Sequence, residues 1–430
     1  MNPSRLFSTG KGAGNRRSHN PPISPANFPV QATQTGRVEV PHYPFQPLPT
    51  PSGPPPYRFD LSQLLSASDV TQIKTNGVLV FHTVGDTGDY RGQQQDFVAA
   101  MMTQDAQASP DGRTPAFYYH LGDVIYFAGD IDKYGDNFYA TYENYPSFIV
   151  AIPGNHDCQP DDPQDGPVDP TKVPLDGWVQ NFMSKNPAQL GSLKTNSART
   201  QMNLPNVYWT FTTPLVTIIG LFSNVGETEG EIHPDQVAWF KGELSAADPS
   251  LALIVTVHHP PYSGDDEHSG SSAVEKVLFD SFAATKRYPN LILSGHVHNY
   301  QRFTKVTQGP KGALQIPCIV AGAGGYINLG TLHTVNGAPP KAPLSLTNGL
   351  TLAQYDQTNF GFLRFEVTKG QIAGTYFSAP YVSGGTPAAK VADSFVIDLV
   401  KNTVTTDGAG SGAKATKPGK KPTPPKKKAR

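Results

Sequence analysis

Residues 115–130 read PAFYYHLGDVIYFAGD: an apolar run breaks at Gly122 and Asp123, and a tyrosine, Tyr126, follows three residues later. A strand that ends in Gly-Asp carries its carboxylate at the C-terminal end, where α/β sheets bind their ligands. On local grounds Tyr126 serves equally well as core, lid or ligand. What the other strand ends carry decides between these roles.

Apolar runs predict strands near 77–84 (GVLVFHTV), 115–120, 147–152 (SFIVAI), 251–257 (LALIVTV) and 290–294 (NLILS). Helical patterns over 93–105, 234–246 (PDQVAWFKGELSA) and 271–286 (SSAVEKVLFDSFAATK) lie between several of them. Alternation of this kind argues an α/β sandwich. From 301 onward the chain is richer in glycine and in strand patterns, at 316–321, 360–367, 371–378 and 393–399, which predicts a second, more antiparallel sheet.

Each of the five strands is followed by polar groups of one chemical kind. GDTGDY brings Asp86, GDVIY brings Asp123 and Tyr126, and PGNHD brings Asn155, His156 and Asp157. HHPPY brings His258 and His259, and GHVHNYQR brings His296 and His298. A lone Gly-Asp is ordinarily a turn, GNHD alone reads as an Asx turn, and His82 and His120, inside strands, read as core histidines. Five strand ends in register are harder to explain that way, because in an open α/β sheet those ends face one crevice. Carboxylate, phenol, amide and imidazole donors without thiolate suit iron, zinc or manganese and disfavour copper(I) or a structural zinc. Seven donors are too many for one ion; a carboxylate shared between two ions solves the count, and Asp123 is the natural bridge.

Across roughly residues 77–305 the chain resembles the calcineurin-like metallophosphoesterase superfamily and, within it, the purple acid phosphatases. The resemblance rests on Asp86-Thr87-Gly88 paired with Gly122-Asp123-x-x-Tyr126, on the three motifs that follow, and on two weaker stretches, VYWTFTTPLVTIIGLFSN and HPDQVAWFKGEL. Most of the superfamily has a metal-binding histidine at the position of Gly88; here Tyr126 takes its place. The fold so implied is a four-layer sandwich of two mixed β-sheets flanked by helices, with a dinuclear metal site at the C-terminal ends of strands. One ion would be held by Asp86, Asp123, Tyr126 and His298, the other by Asp123, Asn155, His258 and His296. A phenolate ligand favours Fe(III), the partner being a divalent iron, zinc or manganese. Such a pair keeps a net positive charge for a phosphate dianion after two carboxylates and a phenolate are counted. The implied activity is hydrolysis of small phosphate monoesters, with His156 facing the phosphate and His268 as proton donor to the leaving group; the alternative for His268, in the glycine-rich, acidic loop PPYSGDDEHSG, is a solvated surface histidine. A phosphodiesterase or nucleotidase on the same scaffold is the alternative, and a surface interaction protein with an ancillary metal site is the alternative of another class. His259 and Cys158 read as packing. The AGAGGY run at 321–326 lacks the spacing and strand-to-helix context of a dinucleotide site.

The 430 residues, 37% hydrophobic and 16% charged, suffice for a large core. A net charge of −1 conceals basic ends: +4 in residues 1–40 and +8 in 411–430, so the remainder carries about −13. Half of residues 41–56 are proline, and the last twenty have almost no apolar side chains, so neither end offsets the entropy of ordering. The expected organisation is a disordered proline-rich 1–56, a metallophosphoesterase domain over 57–405 and a disordered Lys/Pro-rich tail over 406–430 whose charge allows weak contact with polyanions. No stretch approaches the 18 or so apolar residues of a membrane span. No signal peptide is readable, which favours a cytoplasmic address over a secreted or periplasmic one. Cys158 and Cys318 are compatible with one bridge or two thiols.

Overall fold

The computed structural model describes residues 24–31, 48–88, 93–160, 171–188, 199–224 and 230–406; the basic tail and most of the proline-rich stretch lie outside them. In chain order the strands are β1 (Arg58–Asp60), β2 (Leu79–Val84), β3 (Phe117–His120), β4 (Phe148–Ala151), β5 (Trp209–Thr212), β6 (Val216–Leu221), β7 (Ala252–Val257) and β8 (Leu291–Ser294). They continue with β9 (Tyr300–Gly309), β10 (Gly312–Ala321), β11 (Leu344–Ser345), β12 (Leu350–Asp356), β13 (Phe360–Val367), β14 (Gln371–Ala379), β15 (Lys390–Asp398) and β16 (Thr403–Thr406). The helices are α1 (Ala67–Asn76), α2 (Gln94–Ala108), α3 (Asn155–Cys158), α4 (Asp176–Phe182), α5 (Pro234–Ala246) and α6 (Ser272–Thr285).

Two mixed sheets form, ordered β16-β15-β14-β13-β2-β3-β4 and β1-β5-β6-β7-β8-β10-β9-β12-β11. β2, β6 and β7 are buried at every position, as strands covered on both faces must be. β14 alternates, because its sheet end is covered on one side only. The antiparallel strands after 301 do not make a sheet of their own, contrary to expectation. β9 to β12 extend the second sheet, while β13 pairs antiparallel with β2, Val367 opposite Leu79, and so completes the first. The five strands that carry the polar loops are likewise divided, β2, β3 and β4 in one sheet and β7 and β8 in the other, rather than lying in one open sheet.

Aromatic side chains fill the space between the sheets. Phe81 stacks on Phe117, Phe117 meets Phe211 of the opposite sheet edge-on at 4.9 Å, and Tyr119 stacks on Trp209. Outside, α5 and α6 bury Phe240, Leu244, Val274, Leu278 and Phe282 against β7, and α2 buries Phe97, Val98, Met101 and Met102 on the other flank. Those spacings put each set on one helical face, and Ser271 caps α6 by accepting from Val274 N–H. The result is helix, sheet, sheet, helix. Among the described residues no helix is long and apolar enough to cross a membrane, and both cysteines are buried free thiols.

The folded unit begins earlier than residue 57. Ser52 and Gly53 donate their amides to the Pro205 carbonyl, and the Trp239 indole donates to the Pro56 carbonyl at 2.6 Å. Phe28 is also buried. Proline removes donors but leaves carbonyls: the Pro56 carbonyl finds a donor on the body, while the non-proline residues Ser52 and Gly53 supply amides to it.

His82 and His120 are core residues, as expected. His82 lies between the Asp105 carboxylate at 2.8 Å and the Tyr145 hydroxyl at 3.0 Å. His120 accepts from Gly122 N–H at Nδ1, so Nε2 carries the proton and donates to Thr87 Oγ1 at 2.8 Å. Burial pushes the His120 pKa down to about 3. The unfolded chain takes that proton near 6.5, so below this pH the unfolded state binds more protons and stability falls, by about 1.4 kcal/mol per pH unit, until the folded value is reached. His120→Asn should be less stable at neutral pH and should lose less between pH 6.5 and 3 than the parent, as read from thermal midpoints across that range.

A buried ion pair ties the two sheets together. Arg302 of β9 donates from Nε and Nη2 to Asp393 of β15 at 2.6 and 3.0 Å, and the Tyr300 hydroxyl donates to the same carboxylate at 2.7 Å. Asp393→Ala strands a buried guanidinium and should destabilise the fold by about 3–5 kcal/mol, measured by denaturant unfolding. A cost below about 1 kcal/mol would show that the pair does not hold the sheets together.

Candidate metal centre

The loops after β2, β3, β4, β7 and β8 converge where the two sheets abut. Within the first sheet, Asp86 N–H donates to Gly122 O and Thr87 N–H to Asp123 O. Within the second, Gly295 N–H donates to His258 O. Among the bonds that cross between the sheets are His296 N–H to Asp86 Oδ2 at 2.9 Å, His258 Nδ1–H to Leu121 O at 2.8 Å and Gly85 N–H to Ala321 O at 2.8 Å. Asp86, Asp123 and His296 have φ of 59°, 53° and 69°. A left-handed conformation is costly for such residues, by about 1–3 kcal/mol each, and is kept where it aims a functional side chain.

All seven expected donors meet in this junction. The Tyr126 hydroxyl lies 2.8 Å from Asp123 Oδ2, 3.2 Å from Asp86 Oδ1 and 3.1 Å from His298 Nε2. Asn155 Oδ1 is 3.0 Å from both His258 Nε2 and His296 Nδ1, and His258 Nε2 is 3.3 Å from Asp123 Oδ2. Ligand atoms of Asp123, His258 and His296 all fall within 4.8 Å of one another.

Gly88 explains how Tyr126 gets there. A Cβ at residue 88 would stand 2.2 Å from Val124 O and 2.5 Å from Ile125 Cα, so a side chain here and the Tyr126 loop exclude each other. Gly154 has the same role opposite: its Cβ would stand 2.1 Å from Asp123 Oδ1. Asp157, which sequence reading left without a role, accepts from Gly154, Val124 and Ile125 N–H and so pins the second loop to the third.

The charge pattern calls for cations. Asp86 and Asp123 are buried. Burial and the neighbouring Asp123 push the Asp86 carboxyl well up. For Asp123 burial acts upward too, but the His258 and His156 charges overcome it and hold it down. Burial opposes a charge on His258, yet Asp123 raises it to about 9. Burial and nearby imidazoles hold His296 well below the ordinary value and bring His298 down to about 3. Burial and the two carboxylates push the Tyr126 phenol up, so only a strong local cation would make it a phenolate. With Nδ1–H committed to Leu121 O, a neutral His258 turns its Nε2 lone pair toward two oxygens. Tyr126 has one proton for three acceptors. A donor set that faces itself in this way fits metal ions.

The remaining residues surround the donors. The His268 ring stands 5.2 Å from His296 and 5.4 Å from His298, on a short hairpin closed by Gly264 and Ser269. His156 donates its amide to Asp123 Oδ1, and its Nδ1–H to Phe127 O at 2.7 Å. His259 lies behind His296, its Nδ1 against Ser223 Oγ. Cys158 is buried with Sγ toward Gly154 O. Sequence reading missed Tyr326, whose ring packs 4.4 Å from both Tyr126 and His298. The signal was present: β10 runs parallel to β8, so AGAGGY is a sixth strand end at the same junction, and Tyr326 N–H donates to Asp86 O.

The calcineurin-like phosphoesterase family model matches residues 79–300, which contain every one of the seven donors. Among curated relatives, the chain is 27% identical over 170 residues to purple acid phosphatase 22 of Arabidopsis thaliana, covering 39% of this chain and 36% of that protein. It is 32% identical over 108 residues to probable purple acid phosphatase 20 of the same plant, covering 24% of each. The chain thus spans about a third or less of the length of the relatives it matches. Among solved structures it is similar to a dimetal phosphatase from Danio rerio, with 11% identity and a TM-score of 0.42 over 73% of this chain and 98% of that one. It is also similar to GAP50, the anchor in the inner membrane complex of Plasmodium, with 16% identity and a TM-score of 0.47 over 73% and 88%. With half of its length matched by the family model, the chain belongs to the calcineurin-like phosphoesterase family.

Proposed function

We propose that this protein hydrolyses phosphate monoesters at a dinuclear Fe(III)–M(II) centre. The observation that carries this is the Tyr126 hydroxyl at 2.8–3.2 Å from Asp86, Asp123 and His298, in space that Gly88 leaves open. The likeness to purple acid phosphatases supports it. Asp86, Asp123, Tyr126 and His298 would hold the ferric ion, and Asp123, Asn155, His258 and His296 a divalent iron, zinc or manganese. Bound there, the ions would supply Lewis acidity toward a phosphoryl oxygen and lower the pKa of water.

The protein's own groups do the rest. Asp123 lies between the two donor sets and serves both. His258, with Nδ1–H on Leu121 O, keeps Nε2 directed into the site. His156 is held by Nδ1–H on Phe127 O and, as an imidazolium, would donate Nε2–H to a phosphoryl oxygen. His268, with a side chain 37% exposed, stands at the solvent edge and gives its proton to the departing alkoxide. Tyr326 and Phe127 cover the Tyr126 side and exclude water there.

Purified protein should contain two metal ions per chain, at least one of them iron, and should show a visible tyrosinate-to-iron absorption band. One zinc per chain would overturn the dinuclear assignment. Tyr126→Phe should abolish the band and keep the fold, and persistence of the colour would mean that another residue is the ligand.

Asn155→Ala or His296→Ala should lose one ion and most turnover. His268→Ala should keep both ions and lose about 10²-fold or more on alkyl phosphates, with little loss on nitrophenyl phosphate, whose leaving group needs no proton. Equal losses on both esters would assign His268 to binding instead.

A further inference from the structure

Residues 24–31, from the stretch expected to be unstructured, lie across the base of the hairpin that carries His268. Val30 O accepts from Ser263 N–H at 3.0 Å. Gln31 Nε2 donates to Pro261 O at 3.0 Å and to Glu275 Oε2 at 2.6 Å, tying the segment to α6. The buried Phe28 ring covers Gly264 and meets His333 edge-on.

The fit is reciprocal. A Cβ on Gly264 would stand 2.6 Å from the Phe28 ring, and one on Gly270 would stand 2.4 Å from Val30 O. Both glycines that flank the hairpin lie where the segment presses closely against it, and at Gly264 a side chain would run into the Phe28 ring. Beneath the hairpin, buried Asp265 accepts from Glu267 and His268 N–H with Oδ1 and from Asn299 Nδ2–H with Oδ2. Asn299 follows His298 directly, so the hairpin is referenced to the metal-binding loop from below and clamped by residues 24–31 from above.

We propose that Phe28 is a positioning residue: through the strap formed by residues 24–31 it holds the 258–271 loop so that His268 stays at the edge of the metal centre. This rests on the proton-donor role assigned to His268 above. Phe28 touches no substrate; loosening it lets the hairpin spend less time with His268 in reach of the leaving oxygen. The loss should therefore follow the leaving group.

The test compares the parent, Phe28→Ala, Phe28→Tyr and His268→Ala in the full chain, on an alkyl phosphate and on nitrophenyl phosphate, with metal content measured for each. Phe28→Ala should keep both ions and lower kcat on the alkyl ester about tenfold, with nitrophenyl phosphate within about twofold of the parent. Phe28→Tyr should restore the alkyl-ester rate, and hydrogen exchange at the Ser263 and His268 amides should quicken in Phe28→Ala alone. If His268→Ala shows the leaving-group pattern and Phe28→Ala does not, the strap has no positioning role. Equal losses on both esters, or lost metal, would make Phe28 a structural residue and overturn the proposal. If His268→Ala shows no such pattern, the proton-donor assignment fails and the strap proposal with it. Should Phe28→Ala not fold, Gln31→Ala carries the same comparison, with a smaller loss in the same direction.

Discussion

Two carboxylates, Asp86 and Asp123, are buried within hydrogen-bonding distance of one tyrosine hydroxyl. Burying that much negative charge is tolerable only with positive charge beside it. In the protein alone a protonated His258 and a raised Asp86 carboxyl meet part of the demand. Metal ions would meet it more fully and would release His258 to act as a neutral ligand. The same constraint accounts for the backbone. Asp86 and Asp123 both sit in left-handed turns, and the glycines nearby let main chain and ligand side chains approach closely.

No single sheet supplies this arrangement. β2, β3 and β4 bring the acidic and amide donors from one sheet, and β7 and β8 bring the imidazoles from the other. The centre therefore lies on the seam, and whatever holds the sheets in register also sets donor distances. Arg302 and Asp393, together with the Tyr300 and Tyr376 stack at 3.9 Å, fix that register within the sandwich. Substitutions there reach the chemistry through geometry, without touching a ligand.

Most of the site was legible because it lies at strand ends, where short apolar runs are followed at once by Asp, Asn or His. Asp86, Asp123, Asn155, His258, His296 and His298 each announce themselves in that way, and Tyr126 follows from its spacing to Asp123. Asp157 and Tyr326 also follow strand ends, but their roles are not legible there. The first works through backbone amides of a loop more than thirty residues away, and the second lies beyond a glycine run that resembles a dinucleotide loop only by composition. The sheet division was illegible because β13 pairs with β2 across almost the whole domain, a long-range choice that local periodicity does not encode. Prolines around 48–56 and the short 24–31 segment misled for a different reason: composition reports what cannot pack alone, not what the body will hold through Trp239 or Gly264.

The proposed centre would place two ions at the seam between the sheets, with Tyr126 on one and Asp123 on both. Anomalous diffraction from crystals of the metal-loaded protein, collected on either side of the iron edge, measures this directly. The expected result is two peaks about 3.5–4 Å apart, the iron peak in contact with the Tyr126 oxygen and Asp123 bridging the pair. A single peak, or an iron peak with the Tyr126 hydroxyl turned away from it, would rule this centre out.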